Sequence, residues 1–154
     1  MSLGLKSETP WGFWIESPSG VLAGVIRANF EPKSVEFVTP NEFGLQVAVM
    51  NRPAGYEIPS HDHLPVDRAL VGTQEVLLIR SGELRADLYD NRVYMGSVRL
   101  GAGDTIILNS GGHGFVASED CLFVEVKQGP YVEGRDKEIF SSSLHEGQEV
   151  RYLD

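Results

Sequence analysis

Cysteine is nearly absent. Cys121 is the only one in 154 residues, so no disulfide can close within the chain and nothing in the cysteine usage points to an oxidising compartment. Long hydrophobic runs are missing too. No apolar stretch approaches the roughly 20 residues of a membrane-spanning helix, and Met1 to Lys6 lacks the apolar core of a signal peptide. The expectation is a cytoplasmic protein with no membrane partner. Basic residues are scarce, 13 against 22 acidic, for a formal net charge of −9. That balance argues against a nucleic-acid backbone or an anionic membrane as main partner. An anionic small molecule stays open, because a pocket can differ in sign from the surface around it. Uninterrupted helical sequence is also scarce, because 17 glycines and 8 prolines are spread along the whole chain.

What is present is strand-like. Short apolar runs alternate with turn signals at Ser17-Pro18-Ser19-Gly20, Thr39-Pro40-Asn41, Arg52-Pro53-Ala54-Gly55, Ser81-Gly82, Asp90-Asn91 and Gly101-Ala102-Gly103-Asp104. Between these turns the period is two. Leu45, Val47 and Val49 alternate with Gln46, Ala48 and Met50, and Leu84, Ala86 and Leu88 alternate with Glu83, Arg85, Asp87 and Tyr89. Two runs, Val76 to Ile79 and Leu122 to Val126, are apolar on nearly both faces, so both faces should be covered: one by the core, the other by a second copy of the chain. A short helix is expected over Arg135 to Glu146. The reading is all-β, a sandwich or barrel, in a single domain over residues 1–154.

Chemistry-bearing residues cluster in two places. His61 and His63 are two of only four histidines, and on an extended strand residues two apart share a face. Alone, such a pair reads as two surface histidines. Glu75 opens the apolar run Val76-Leu77-Leu78-Ile79, and a carboxylate there is costly unless a cation compensates it. A third histidine, His113, follows the run Thr105 to Leu108 and the glycine turn Gly111-Gly112.

These intervals carry a family resemblance. Gly55, His61-x-His63, Glu75 and Gly82 are similar to the first cupin motif, and Gly103 through His113 resembles the second, over about residues 45–128. The sequence departs from the pattern in the long spacer between His63 and Glu75. It departs again at Asn109, where proline is common, and in the early position of His113. The resemblance implies a double-stranded β-helix, or jelly-roll barrel. It also implies one divalent transition metal on His61, His63, Glu75 and His113. Three imidazoles and a carboxylate suit zinc, iron, manganese, nickel or cobalt rather than calcium or magnesium. The barrel is nearly silent on reaction, since the same fold hosts dioxygenases, decarboxylases, isomerases, epimerases and plain binders.

Gln74 competes with Glu75 as an oxygen ligand. Counting back from Gly82 selects Glu75, on the strand face of Leu77 and Ile79, and leaves Gln74 on the face of Val76 and Leu78. Arg68 lies in the long spacer beside Asp67. It reads equally as a mouth residue that binds a substrate carboxylate or phosphate and as an exposed partner of Asp67. Lys127 shares a strand face with Glu125 and reads as its ion-pair partner. Cys121 reads as a packed thiol, while His145, Glu119 and Asp120 read as solvated. No catalytic residue is identified. The sequence supports a homodimeric, metal-dependent enzyme acting on a small polar molecule, a carbohydrate or an organic acid. The alternatives are a non-catalytic metal-containing binding module and a metal-free, sugar-nucleotide epimerase-like barrel with histidine general bases.

Overall fold

The computed structural model describes residues 5–154, and among them every regular element is a β-strand. The chain divides into two compact units, one running to Phe30 and resuming at Thr73–Asp154, the other Glu31–Gly72.

The first unit contains β1 (Leu5–Thr9), β2 (Gly12–Ser17) and β3 (Gly20–Ile26). After the second unit's β4 (Val35–Phe37) and β5 (Ala48–Met50), it resumes with β6 (Glu75–Ser81), β7 (Leu84–Asp90) and β8 (Val93–Leu100). It ends with β9 (Thr105–Leu108), β10 (Gly112–Ala117) and β11 (Leu122–Lys127). Six strands form one sheet in the order β1-β2-β3-β9-β6-β11, and three form another in the order β10-β7-β8. All the paired neighbours in both sheets are antiparallel.

Both sheets feed one apolar core. Phe13 and Ile15, Leu22 and Val25, Leu77 and Ile79, and Ile106 and Leu108 come from the large sheet. Leu84, Ala86 and Leu88 with Met95, Val98 and Leu100 come from the small one. The period-two pattern expected for Leu84, Ala86 and Leu88 therefore places these three residues inward. The layer stays closed because the turns are tight. Gly82 has φ +77, and a Cβ there would sit 2.1 Å from the Asp120 carbonyl oxygen, so only glycine allows β6 to turn into β7 at this point. Asn91 and Arg92, both with positive φ, close the two-residue β7–β8 hairpin in the primed-turn geometry that matches strand twist.

One expectation about local structure needs correction. Residues Arg135 to Glu146 form isolated turns rather than a helix. Gly134 adopts a left-handed φ of +71, and the serines Ser141-Ser142-Ser143 favour turns. The one helical-looking turn, with His145 N donating to Ser142 O, stops at Gly147, whose φ is +94. On β6 and β11 the face expected to meet a second copy is open within the single chain. Leu78 is 42 % exposed, and Val124, directly across the ladder from it, is 43 % exposed.

In the second unit, β4 and β5 pair antiparallel, Val35 against Met50. The strand expected from Leu45 to Met50 is shortened to its last three residues. Gly55 makes the turn expected of it, at φ +82, with Tyr56 N donating to Pro53 O at 3.1 Å. From Asn51 to Gly72 the chain is irregular, and His61 and His63 lie on no strand.

Candidate functional site

Parity and register build the site in the first unit. On β6 the face carrying Leu77 and Ile79 turns to the core, and Glu75 begins that same face. On β10 the corresponding face carries His113 and Phe115, whose rings lie 5.3 Å apart, with Phe115 packed on the core. Across the β6–β11 ladder Lys127 is the direct partner of Glu75, and Glu125 of Leu77. One end of the inner face thus gathers a carboxylate, an imidazole and an ammonium from three strands, although 38 positions separate Glu75 from His113.

The contacts are specific. His113 Nε2 lies 3.1 Å from Glu75 Oε2, with both side chains partly buried. Lys127 Nζ lies 3.9 Å from the other oxygen of Glu75, 3.5 Å from Glu125 and 3.7 Å from Asp136. It also stands 5.5 Å from the centre of the Tyr131 ring. Burial alone would lower the Lys127 pKa. The charges of Glu125, Glu75 and Asp136, with a hydrogen bond to Glu125, outweigh that and raise it above its ordinary 10.5. Lys127 is therefore a cation at neutral pH, ringed by three carboxylates.

Gln74 has a different environment. It is 9 % exposed, its side-chain amide nitrogen donates to Asn109 Oδ1, and its backbone N–H donates to Gln128 Oε1 at 2.7 Å. Asn109 in turn donates to the Val21 carbonyl at 2.9 Å. This polar chain ties the start of β6 to the end of β9 and to the start of β3. The Asn109 that departs from the motif thus has a structural task.

In the second unit, His61 and His63 stand edge to face with ring centres 5.2 Å apart, and both are exposed. Their neighbouring places come from the local loop rather than from strand alternation. The His61 Nδ1 atom lies 2.8 Å from the Pro59 carbonyl, which can only accept. The hydrogen must then sit on Nδ1, and a neutral ring keeps the lone pair on Nε2 free. Arg68 is exposed in the same irregular stretch and makes no ion pair with Asp67.

Compared with known proteins, the chain matches no family model, no curated protein and no solved structure.

The structure pairs Glu75 with His113, and His61 with His63, each pair within its own unit. Among the described residues no group of three His, Cys, Asp or Glu side chains forms a ready cation site. Sequence reasoning gave Lys127 to Glu125 alone and passed over Asp136. Strand parity identifies the Glu125 contact, but the Glu75 contact depends on the β6–β11 register and the Asp136 contact on the path of the tail after β11. Cys121 is partly buried against the core, as a packed thiol should be.

Proposed function

We propose that the protein is a metal-dependent cupin, a jelly-roll barrel acting on a small polar molecule, either a carbohydrate or an organic acid. One divalent transition ion (zinc, iron, manganese or nickel) is held by His61, His63, Glu75 and His113. The observation that carries this reading is the 3.1 Å approach of His113 Nε2 to Glu75 Oε2. Two donor atoms suited to such an ion converge on the inner face of an all-β, antiparallel unit. Within the second unit, the contact of His61 Nδ1 with the Pro59 carbonyl leaves Nε2 as that ring's lone-pair donor. When bound, the ion supplies Lewis-acid polarisation of a ligand oxygen. The chain's own residues do the rest. Glu75 would offset the ion's charge, His113 would present Nε2 beside it, and Arg68 would hold an anionic group of the substrate.

The test is elemental analysis of protein purified without chelators after growth with ample metal. Near-stoichiometric transition metal is expected, and it should be lost in His61→Ala and His113→Ala. A metal-free wild type overturns the reading. A non-catalytic binding module would retain the metal and bind the small molecule without turning it over.

One observation favours a second reading. Lys127 already supplies the cation that Glu75 needs, so a metal-free, epimerase-like barrel can use His113 as general base with Glu75 orienting it. That protein would contain no metal, yet would lose substrate proton exchange in His113→Ala.

We also propose a cytoplasmic homodimer. Leu78, Val124 and Val126 form an exposed apolar face on β6 and β11, which a second copy would cover.

A further inference from the structure

Lys127 occupies the place in the electrostatics that a metal ion would take. It is the direct ladder partner of Glu75, and its ammonium lies within 4 Å of the carboxylates of Glu75, Glu125 and Asp136. The charges facing it are those three carboxylates and the imidazole of His113 beyond Glu75, so the cluster stays negative even with Lys127 charged. Lys127 touches the Glu75 oxygen that His113 does not, and this is its longest ion-pair contact of the three. It can therefore let Glu75 go and keep the other two.

We infer that Lys127 is the resident cation of this centre, which an incoming divalent ion displaces from Glu75 towards Glu125 and Asp136. The inference rests on the metal reading above and adds how binding is controlled. Two charges of the same sign cannot share Glu75 without cost in a partly buried setting. Lys127 thus holds the metal-free fold together and weakens metal binding. It selects against monovalent ions, which bring no more charge than the ammonium already there. Glu125 and Asp136 form the second berth, and the displaced ammonium stays charged and paired.

Lys127→Met removes the competitor, and two readouts should move in opposite directions. The melting temperature without metal falls, because three carboxylates lose their counter-charge. The affinity for Zn2+ or Mn2+, titrated as the chloride against a chromogenic chelator, rises by about tenfold or more. The metal-induced rise in melting temperature grows with it. Lys127→Arg, which keeps the charge, should behave like wild type. Lys33→Met in the other unit controls for the change in net charge. Should Lys127→Met not fold, Lys127→Gln gives the same comparison. If wild type binds metal and the neutral variants bind it equally or more weakly, the inference is overturned while the metal reading stands. If only the neutral variants bind metal, Lys127 blocks the site outright, and both the displacement and the metal reading fall. If neither wild type nor variants bind, both fall.

Discussion

Arg27 at the end of β3 and Asp104 in the β8–β9 turn meet at 2.8 Å, and the same carboxylate accepts the backbone N–H groups of Ala28 at 2.9 Å and Gly101 at 3.0 Å. Asp104 is buried, so each bond is made away from water. The Asp104→Ala substitution leaves a partly buried guanidinium and two N–H groups without this acceptor. It should destabilise the fold by about 2–4 kcal/mol, read from urea unfolding. A loss below about 0.5 kcal/mol would mean that water replaces the carboxylate.

Gln74 and Glu75 should separate cleanly. Glu75→Gln keeps the shape but removes the negative charge, so metal affinity should fall strongly while the fold persists. Gln74→Ala breaks the bond to Asn109 and should cost about 1–2 kcal/mol of stability with metal content almost unchanged. Titrating both variants with one metal under identical conditions checks this. A larger affinity loss in Gln74→Ala would reverse the assignment of the ligand.

Arg68 supports nothing that the fold needs. Arg68→Ala should leave unfolding within about 0.5 kcal/mol of wild type and leave the metal content intact. Weakened binding of a small carboxylate or phosphate, followed by calorimetry, is the expected loss. A large drop in melting temperature would make Arg68 structural instead.

Alkaline pH should weaken the fold through Tyr89. Burial raises its phenol above the ordinary 10.0, and the nearby Ser142 hydroxyl only partly offsets this. The folded state therefore holds this proton more tightly than the unfolded chain. The contribution is complete below about pH 10 and is lost as pH rises through the folded pKa. Tyr89→Phe should flatten the pH dependence of stability above about pH 10. An unchanged slope in that variant would place the effect elsewhere.

The exposed ladder pair Leu78–Val124 makes the dimer testable. Val124→Glu should shift sedimentation from dimer to monomer and leave the circular dichroism spectrum unaltered. A wild type that sediments as a monomer at every concentration removes the proposal.

What the sequence by itself determined was local. Period-two alternation placed Leu84, Ala86 and Leu88 in the core, because strand geometry sends alternate side chains to opposite faces whatever lies beyond. Glycines and Asp90-Asn91 marked real turns, because positive φ and tight approach are properties of a few consecutive residues. The same parity put Glu75 on the face of Leu77 and Ile79. The tail from Arg135 misled, because its weak helical pattern had no apolar face to dock and ends in serines and glycines. Only the tertiary structure decided the partners. Glu75 meets His113 because strands from two sheets bring their inner faces together around one core. Lys127 meets Glu75 because β11 pairs with β6 in one register among several that its apolar pattern would allow. Asp136 reaches Lys127 through the path of an irregular tail that no periodicity encodes. Spacing along a chain fixes which face a residue takes, whereas the charge it finds there depends on which strand the fold places opposite it.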